Sequence, residues 1–131
     1  MFKVKLTAIN PKDETKYTPY VEVLVDTGAE LSCMPKQVLL DAGIFPRGKK
    51  YFLTATGERI ERDTGFAILT AEGYITNDEV IFAEEGDLSL LGVRTIEGFG
   101  IMVDNVNHRF VPVEALAAPS NICVGTVKIY E

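Results

Sequence analysis

Histidine occurs once, at His108, and cysteine twice, at Cys33 and Cys123, in a chain of 131 residues. A single imidazole excludes any Ser/His triad or histidine-rich metal site that does not pass through that residue. No cysteine stands in ligand spacing around His108, so it reads as a turn residue between two apolar segments, and no metal site or cofactor is expected. The two cysteines lie far apart with no paired spacing, which reads as buried free thiols in a reducing compartment. No apolar run approaches the roughly 18 residues of a membrane span. Behind the lysines of Met1-Phe2-Lys3-Val4-Lys5 there is no apolar core of signal-peptide length, so the expected location is cytoplasmic and off the membrane. Lys/Arg clusters are missing as well: 13 basic side chains against 19 acidic give a formal net charge of -6, which argues against nucleic acid or anionic lipid as partners. Repeats, low-complexity tracts and linkers rich in Pro, Gly or Ser are absent, so residues 1-131 are read as a single domain. That length suffices to bury about two-thirds of the unfolded chain's surface without a metal or disulfide staple.

What the sequence does contain is a period of two. Phe2, Val4, Leu6 and Ala8 alternate with Lys3, Lys5 and Thr7, and Val21, Val23 and Val25 alternate with Tyr20, Glu22 and Leu24, so both read as half-buried strands. Further strands are predicted over Tyr51–Thr56, Arg59–Leu69, Tyr74–Ala83, Gly100–Asp104, Arg109–Val113 and Ile122–Tyr130, separated by short polar or glycine-containing breaks. One helix is well signalled: Pro35 at a favoured first helical position, an apolar edge of Val38, Leu39 and Ala42, and Gly43 placed to end it. A shorter helical turn is predicted over Val93–Glu97. Many short strands with little helix indicate a mostly β barrel or folded sheet.

Chemistry concentrates where Val23-Leu24-Val25 runs into Asp26-Thr27-Gly28-Ala29. An apolar strand delivering an aspartate into a tight turn is costly, because a carboxylate loses hydration in apolar surroundings unless something compensates. A bare Asp-Thr-Gly can also be an ordinary turn. Asp63-Thr64-Gly65 repeats the tripeptide after the polar stretch Arg59-Ile60-Glu61-Arg62 and is read as exposed and without function.

The first copy, taken with its surroundings, resembles the retropepsin-like aspartic proteases. In that family an apolar strand precedes Asp-Thr/Ser-Gly-Ala, followed by a strand and short helix, a glycine-containing flap hairpin, more strands, and an apolar pair with glycine before a last short helix. Here the parts read Val23 to Ala29, Leu31 to Gly43, the hairpin at Ala55-Thr56-Gly57-Glu58, and Leu90-Leu91-Gly92, about 65 residues beyond Asp26. Their order matches throughout residues 18 to 113.

The resemblance implies a mostly β, retropepsin-like closed barrel with one or two short helices and half a site per chain. Asp26 would be the catalytic carboxylate, Thr27 would brace the loop against its counterpart, and Gly28 would offer its carbonyl and close approach to substrate. Ala29, Glu30, Ala55, Thr56, Gly57, Glu58, Leu91 and Gly92 would line the substrate site, with the hairpin closing over an extended peptide. Glu30 is where retroviral members place an acid that pairs with an arginine; Arg94 is one candidate for that pairing, a solvated surface pair the other. Asp63 is only 37 positions from Asp26, less than a lobe can span, so a dyad must come from two chains. The expected assembly is therefore a homodimer acting as an aspartic endopeptidase on a peptide or protein substrate. Two alternatives stay open: an inactive domain of the same fold that binds peptide or dimerises, and an unrelated small β ligand-binding module. The segment Ile122–Tyr130 would either join a dimer sheet or cover an edge of its own subunit.

Overall fold

The computed structural model describes residues 1–114; the predicted strand Ile122–Tyr130 and Cys123 lie outside the described residues. In order come β1 (Lys3–Ile9), β2 (Val21–Val25), β3 (Ser32–Pro35), α1 (Lys36–Asp41), β4 (Gly48–Leu53), β5 (Arg59–Ala71), β6 (Tyr74–Ala83), β7 (Leu90–Leu91), α2 (Val93–Phe99), β8 (Ile101–Asp104) and β9 (Arg109–Pro112). The fold is mostly β.

Alternation in β1 buries Val4, Leu6 and Ala8 and leaves Lys3 and Lys5 in solvent, while β2 buries Val23 and Val25. β1 pairs antiparallel with β2 over Lys3–Leu6, then changes partner and pairs with β5 over Thr7–Ile9. Because the remaining strands run in the order β2-β7-β3-β6-β5, this double pairing closes the sheet into a ring, with β4 added outside β5. The core fills the ring: Leu6, Met34, Leu69, Val80, Phe82 and Leu91 are fully buried. Each contributes roughly 1.5–3 kcal/mol by leaving water. β8 and β9 form a separate two-stranded sheet, and Phe110 of β9 packs in an aromatic cluster with Phe2, Tyr74 and Phe99.

Several sequence expectations change in detail. Pro35 caps α1 rather than opening it, with φ -56° and ψ 133°. Gly43 ends the helix as expected: its φ is +77°, and Ile44 N–H donates to Leu39 O while Gly43 N–H donates to Leu40 O, a paired closure of the last turn. Asn10, just after β1, is 7% exposed and donates Nδ2 to the carbonyls of Ala42 and Gly43, tying the β1 end to that helix terminus. The hairpin strand begins at Gly48 rather than Tyr51, and α2 runs two residues past Glu97. His108 does lie in a turn, at φ +55°, with its ring stacked 5.4 Å from Phe2. Cys33 is buried and has no disulfide partner among the described residues; burial, with Asp87 adding, pushes its thiol up to about 12. No helix among the described residues is long and apolar enough to cross a membrane.

The second Asp-Thr-Gly falls within the predicted strand, but it is not exposed as its polar neighbours suggest. Asp63, Thr64 and Gly65 lie inside β5, where Asp63 is half-buried and bonds its cross-strand partner Lys49 at 2.9 Å. Thr64 is buried and its hydroxyl bonds Glu79. A Cβ at Gly65 would come within 2.8 Å of the Phe45 carbonyl oxygen, so glycine there answers to backbone packing.

Acid should weaken this structure through specific carboxylates. Arg62 of β5 bonds both oxygens of Asp87, at 2.7 and 2.9 Å, in the loop before β7, and holds the Asp87 carboxyl below the ordinary value. Asp104, bonded chiefly by Asn107, is held at about 2. A carboxyl depressed in the folded state adds stability above its unfolded value of 3.8 and loses it as pH falls through the folded value. The expected result is a urea midpoint that drops between pH about 4 and about 2, with Asp87→Asn less stable than wild type at pH 7 and nearly equal to it at the acid end. Parallel midpoint curves for the two proteins across that range would contradict it.

Candidate active site

Asp26 is the first residue after β2, half-buried at the end of a strand whose Val23 and Val25 are in the core. The strand continues its register for one more bond, as Asp26 N–H donates to Leu91 O at 3.0 Å beside the parallel pairs Leu24↔Leu90 and Val25↔Leu91. The chain then turns. Gly28 N–H donates to Asp26 Oδ1 at 2.9 Å and Ala29 N–H to Asp26 O at 3.1 Å, which fixes the carboxylate over its own loop. A Cβ at Gly28 would lie 3.3 Å from Asp26 Oδ1, so a side chain there would crowd the carboxylate.

Two further backbone bonds fasten the loop to α2: Val93 N–H donates to Ala29 O at 2.7 Å and Arg94 N–H to Glu30 O at 3.1 Å. These are amides of the first helical turn, which have no acceptor within the helix, and the Asp26 loop satisfies them. Gly92, the α2 N-cap, lies so close to the backbone leading into β3 that a Cβ would sit 2.5 Å from the Leu31 carbonyl carbon. Structure therefore brings Asp26–Glu30 and Leu91–Gly92 together, although Glu30 and Leu91 are 61 positions apart in the sequence. Thr27, Gly28 and Glu30 are exposed at the loop surface, Ala29 half-buried, and Leu91 and Gly92 buried beneath them.

Arg94 does not pair with the Glu30 side chain. Its guanidinium lies 3.7 Å from Asp78 Oδ1 and 3.7 Å from Glu79 Oε1, because α2 packs along β6 and turns that side chain toward the sheet. Lys50 also bonds Glu79, at 2.7 Å. Burial alone would push the Glu79 carboxyl up, but Lys50, Thr64 and Arg94 together hold it below the ordinary value.

Ala55, Thr56, Gly57 and Glu58 form the exposed tip of the β4–β5 hairpin. Thr54 closes it: Thr54 N–H donates to Glu58 O, its carbonyl accepts from Gly57 N–H, and its hydroxyl accepts from Glu58 N–H. Gly57 has φ +87° with nothing within 4 Å of a Cβ, so the position favours glycine for backbone reasons alone. Below the tip, Arg59 lies 3.9 Å over the Tyr51 ring, joining the two strands of the stem. This tip is held by its own hairpin.

Sequence reasoning missed the side chains behind the loop. Ser32 and Thr95 are wholly buried, and Ser32 accepts a bond from Gly92 N–H at 2.9 Å. One signal was present: a serine inside the otherwise apolar run Leu31 to Met34.

No protein-family model matches this sequence, and no curated protein matches it. Among solved structures, the chain is similar to the foamy viral protease-reverse transcriptase in complex with an RNA/DNA hybrid, with TM-score 0.49 and 16% identity over 97% of this chain and 14% of that one. It is also similar to the dRH form of that protein in complex with double-stranded DNA, with TM-score 0.49 and 17% identity over 96% of this chain and 18% of that one. The native prototype foamy virus protease-reverse transcriptase has TM-score 0.46 and 16% identity. The chain spans less than a fifth of the length of these proteins.

Proposed function

We propose that this protein is an aspartic endopeptidase whose active form is a homodimer, each subunit contributing Asp26. The observation that carries the reading is the Asp26 loop itself. A core strand ends in a carboxylate that is accessible yet fixed, bonded by Gly28 N–H and anchored through Asp26, Ala29 and Glu30 to the Leu91–Arg94 segment. Rigid placement of a reactive group on core elements is what catalysis by orientation requires.

Two such carboxylates about 3 Å apart share one proton, since both cannot ionise at that distance. The ionised member takes a proton from a water as its oxygen attacks the peptide carbonyl carbon, and the protonated member donates to the carbonyl oxygen. The tetrahedral diol then collapses: the C–N bond breaks as the nitrogen takes the proton that the first aspartate gained from water, a diol hydroxyl gives its proton to the other aspartate, and a carboxylic acid and an amine leave with the dyad again singly protonated. Gly28, lacking a side chain, leaves room for an extended substrate beside the carboxylate. The β4–β5 hairpin would close over that substrate with backbone hydrogen bonds from its tip. No cofactor has a part in these steps.

The direct test is incubation of the full chain with a peptide library or a denatured protein, with and without a peptide analogue carrying a hydroxyl in place of the scissile carbonyl. Cleavage blocked by that tetrahedral mimic supports the reading; no cleavage at concentrations where the protein is dimeric overturns it.

The hairpin gives a separate expectation. Valine at position 57 is strained at φ +87°, at a cost of roughly 1–3 kcal/mol, borne by a tip outside the core. Gly57→Val should therefore lower kcat/KM about tenfold or more under conditions where the protein is still fully folded, so that the lost activity exceeds what the lost stability explains. An unchanged kcat/KM would mean this hairpin is not the lid.

A further inference from the structure

Behind the Asp26 loop, three elements, β3, β6 and α2 with its N-cap, meet in one chain of hydrogen bonds. Gly92 N–H donates to Ser32 Oγ at 2.9 Å, Ser32 Oγ and Thr95 Oγ1 are 2.6 Å apart, and Thr95 Oγ1 donates to Asp78 Oδ2 at 2.8 Å. The direction of every bond follows from its end. A carboxylate oxygen only accepts, so the Thr95 proton is committed to Asp78; the Thr95 oxygen must then accept from Ser32, whose oxygen is left to accept from Gly92. Ser32 and Thr95 are fully buried, and the Asp78 side chain is 7% exposed, with its second oxygen accepting Glu79 N–H and facing Arg94. Bonds in such a chain polarise one another, and each has a fixed direction.

This chain ends on the residue next to the site. Gly92 follows Leu91, whose carbonyl accepts Asp26 N–H, and precedes Val93, whose N–H holds Ala29 O. Apolar side chains could fill the same volume, but they would not fix where β7 and α2 sit along β3 and β6. We infer that Ser32, Thr95 and Asp78 are positioning residues for the Asp26 carboxylate, setting the height of the Leu91–Arg94 segment and through it the placement of the loop. The catalytic half of this inference rests on the proposed peptidase reading; the structural half does not.

The test compares full-length Thr95→Val, which keeps the shape and removes the hydroxyl, with Thr95→Ser, which keeps the hydroxyl. Amide hydrogen exchange of Asp26, Val93 and Arg94 should quicken about tenfold or more in Thr95→Val, with the β5–β6 ladder unchanged, and should return to the wild-type rate in Thr95→Ser. In peptide hydrolysis, kcat should fall about tenfold in the valine variant with KM altered less than about threefold, and recover in the serine variant. Should Thr95→Val fail to fold, Ser32→Ala takes its place, with Ser32→Thr as its hydroxyl-keeping control. Wild-type exchange rates at all three amides in a folded valine or alanine variant would overturn the inference, as would failure of the hydroxyl-keeping variant to restore them. A wild type without peptidase activity would sink the peptidase reading alone, because the exchange rates still decide whether the network places the loop.

Discussion

Asp26→Asn should abolish peptide hydrolysis, with a loss of roughly 10³-fold or more, while leaving the fold intact. The asparagine oxygen can still accept from Gly28 N–H at the position where Asp26 Oδ1 now does, so the turn persists. Stability should change by no more than about 0.5 kcal/mol, since the side chain is only half-buried and outside the core cluster. What disappears is the ability to take a proton from water. Asp63→Asn is the matched control, because the two aspartates stand in identical tripeptides. Its loss removes an ion pair with a Lys49 side chain that is 60% exposed, an interaction of about 0–1 kcal/mol, and should leave activity nearly intact. Loss of activity in Asp63→Asn at unchanged stability, with Asp26→Asn still active, would mean that the wrong tripeptide has been assigned.

The local tripeptide does not separate these two sites, and the reason is physical. Asp26 follows Val23-Leu24-Val25 at a strand end and Asp63 follows polar residues, a difference visible in the sequence. That difference correctly marks Asp26 as the residue held at the edge of the core. It misses the burial around Asp63, whose polar neighbours lie on a long hairpin strand with Thr64 buried and Gly65 pressed against the Phe45 carbonyl. Strands with one wet face, β1 and β2, are legible because their side chains alternate. β3 has no such signal, since Ser32, Cys33 and Met34 are buried on both faces and carry no period, and only the motif order of Leu31 to Gly43 points to it. β7 has only two residues, too few to alternate, although Leu90-Leu91-Gly92 marks its place. Arg94 chooses Asp78 and Glu79 over the Glu30 side chain because α2 lies on β6, a tertiary fact without a local trace. The same holds for Ser32, Thr95 and Asp78, which meet across 63 and 17 positions of sequence.

Dilution should produce the second large effect. If each subunit supplies one carboxylate, a monomer holds half a site, and specific activity should fall toward zero as the protein passes below its dimer dissociation constant. Sedimentation velocity over the same concentrations should show monomer replacing dimer with the same midpoint. Activity that stays proportional to total protein where only monomer sediments would exclude a shared site.

Mixing subunits tests the central claim most directly. Wild type and Asp26→Asn are unfolded together, refolded at a fixed total concentration, and assayed at increasing fractions of the variant. A site needing Asp26 from both subunits makes activity follow the square of the wild-type fraction, so an equal mixture retains about a quarter of the full activity. Activity falling in simple proportion to the wild-type fraction, with about half remaining in that mixture, would show that one chain carries a complete site and contradict the shared dyad.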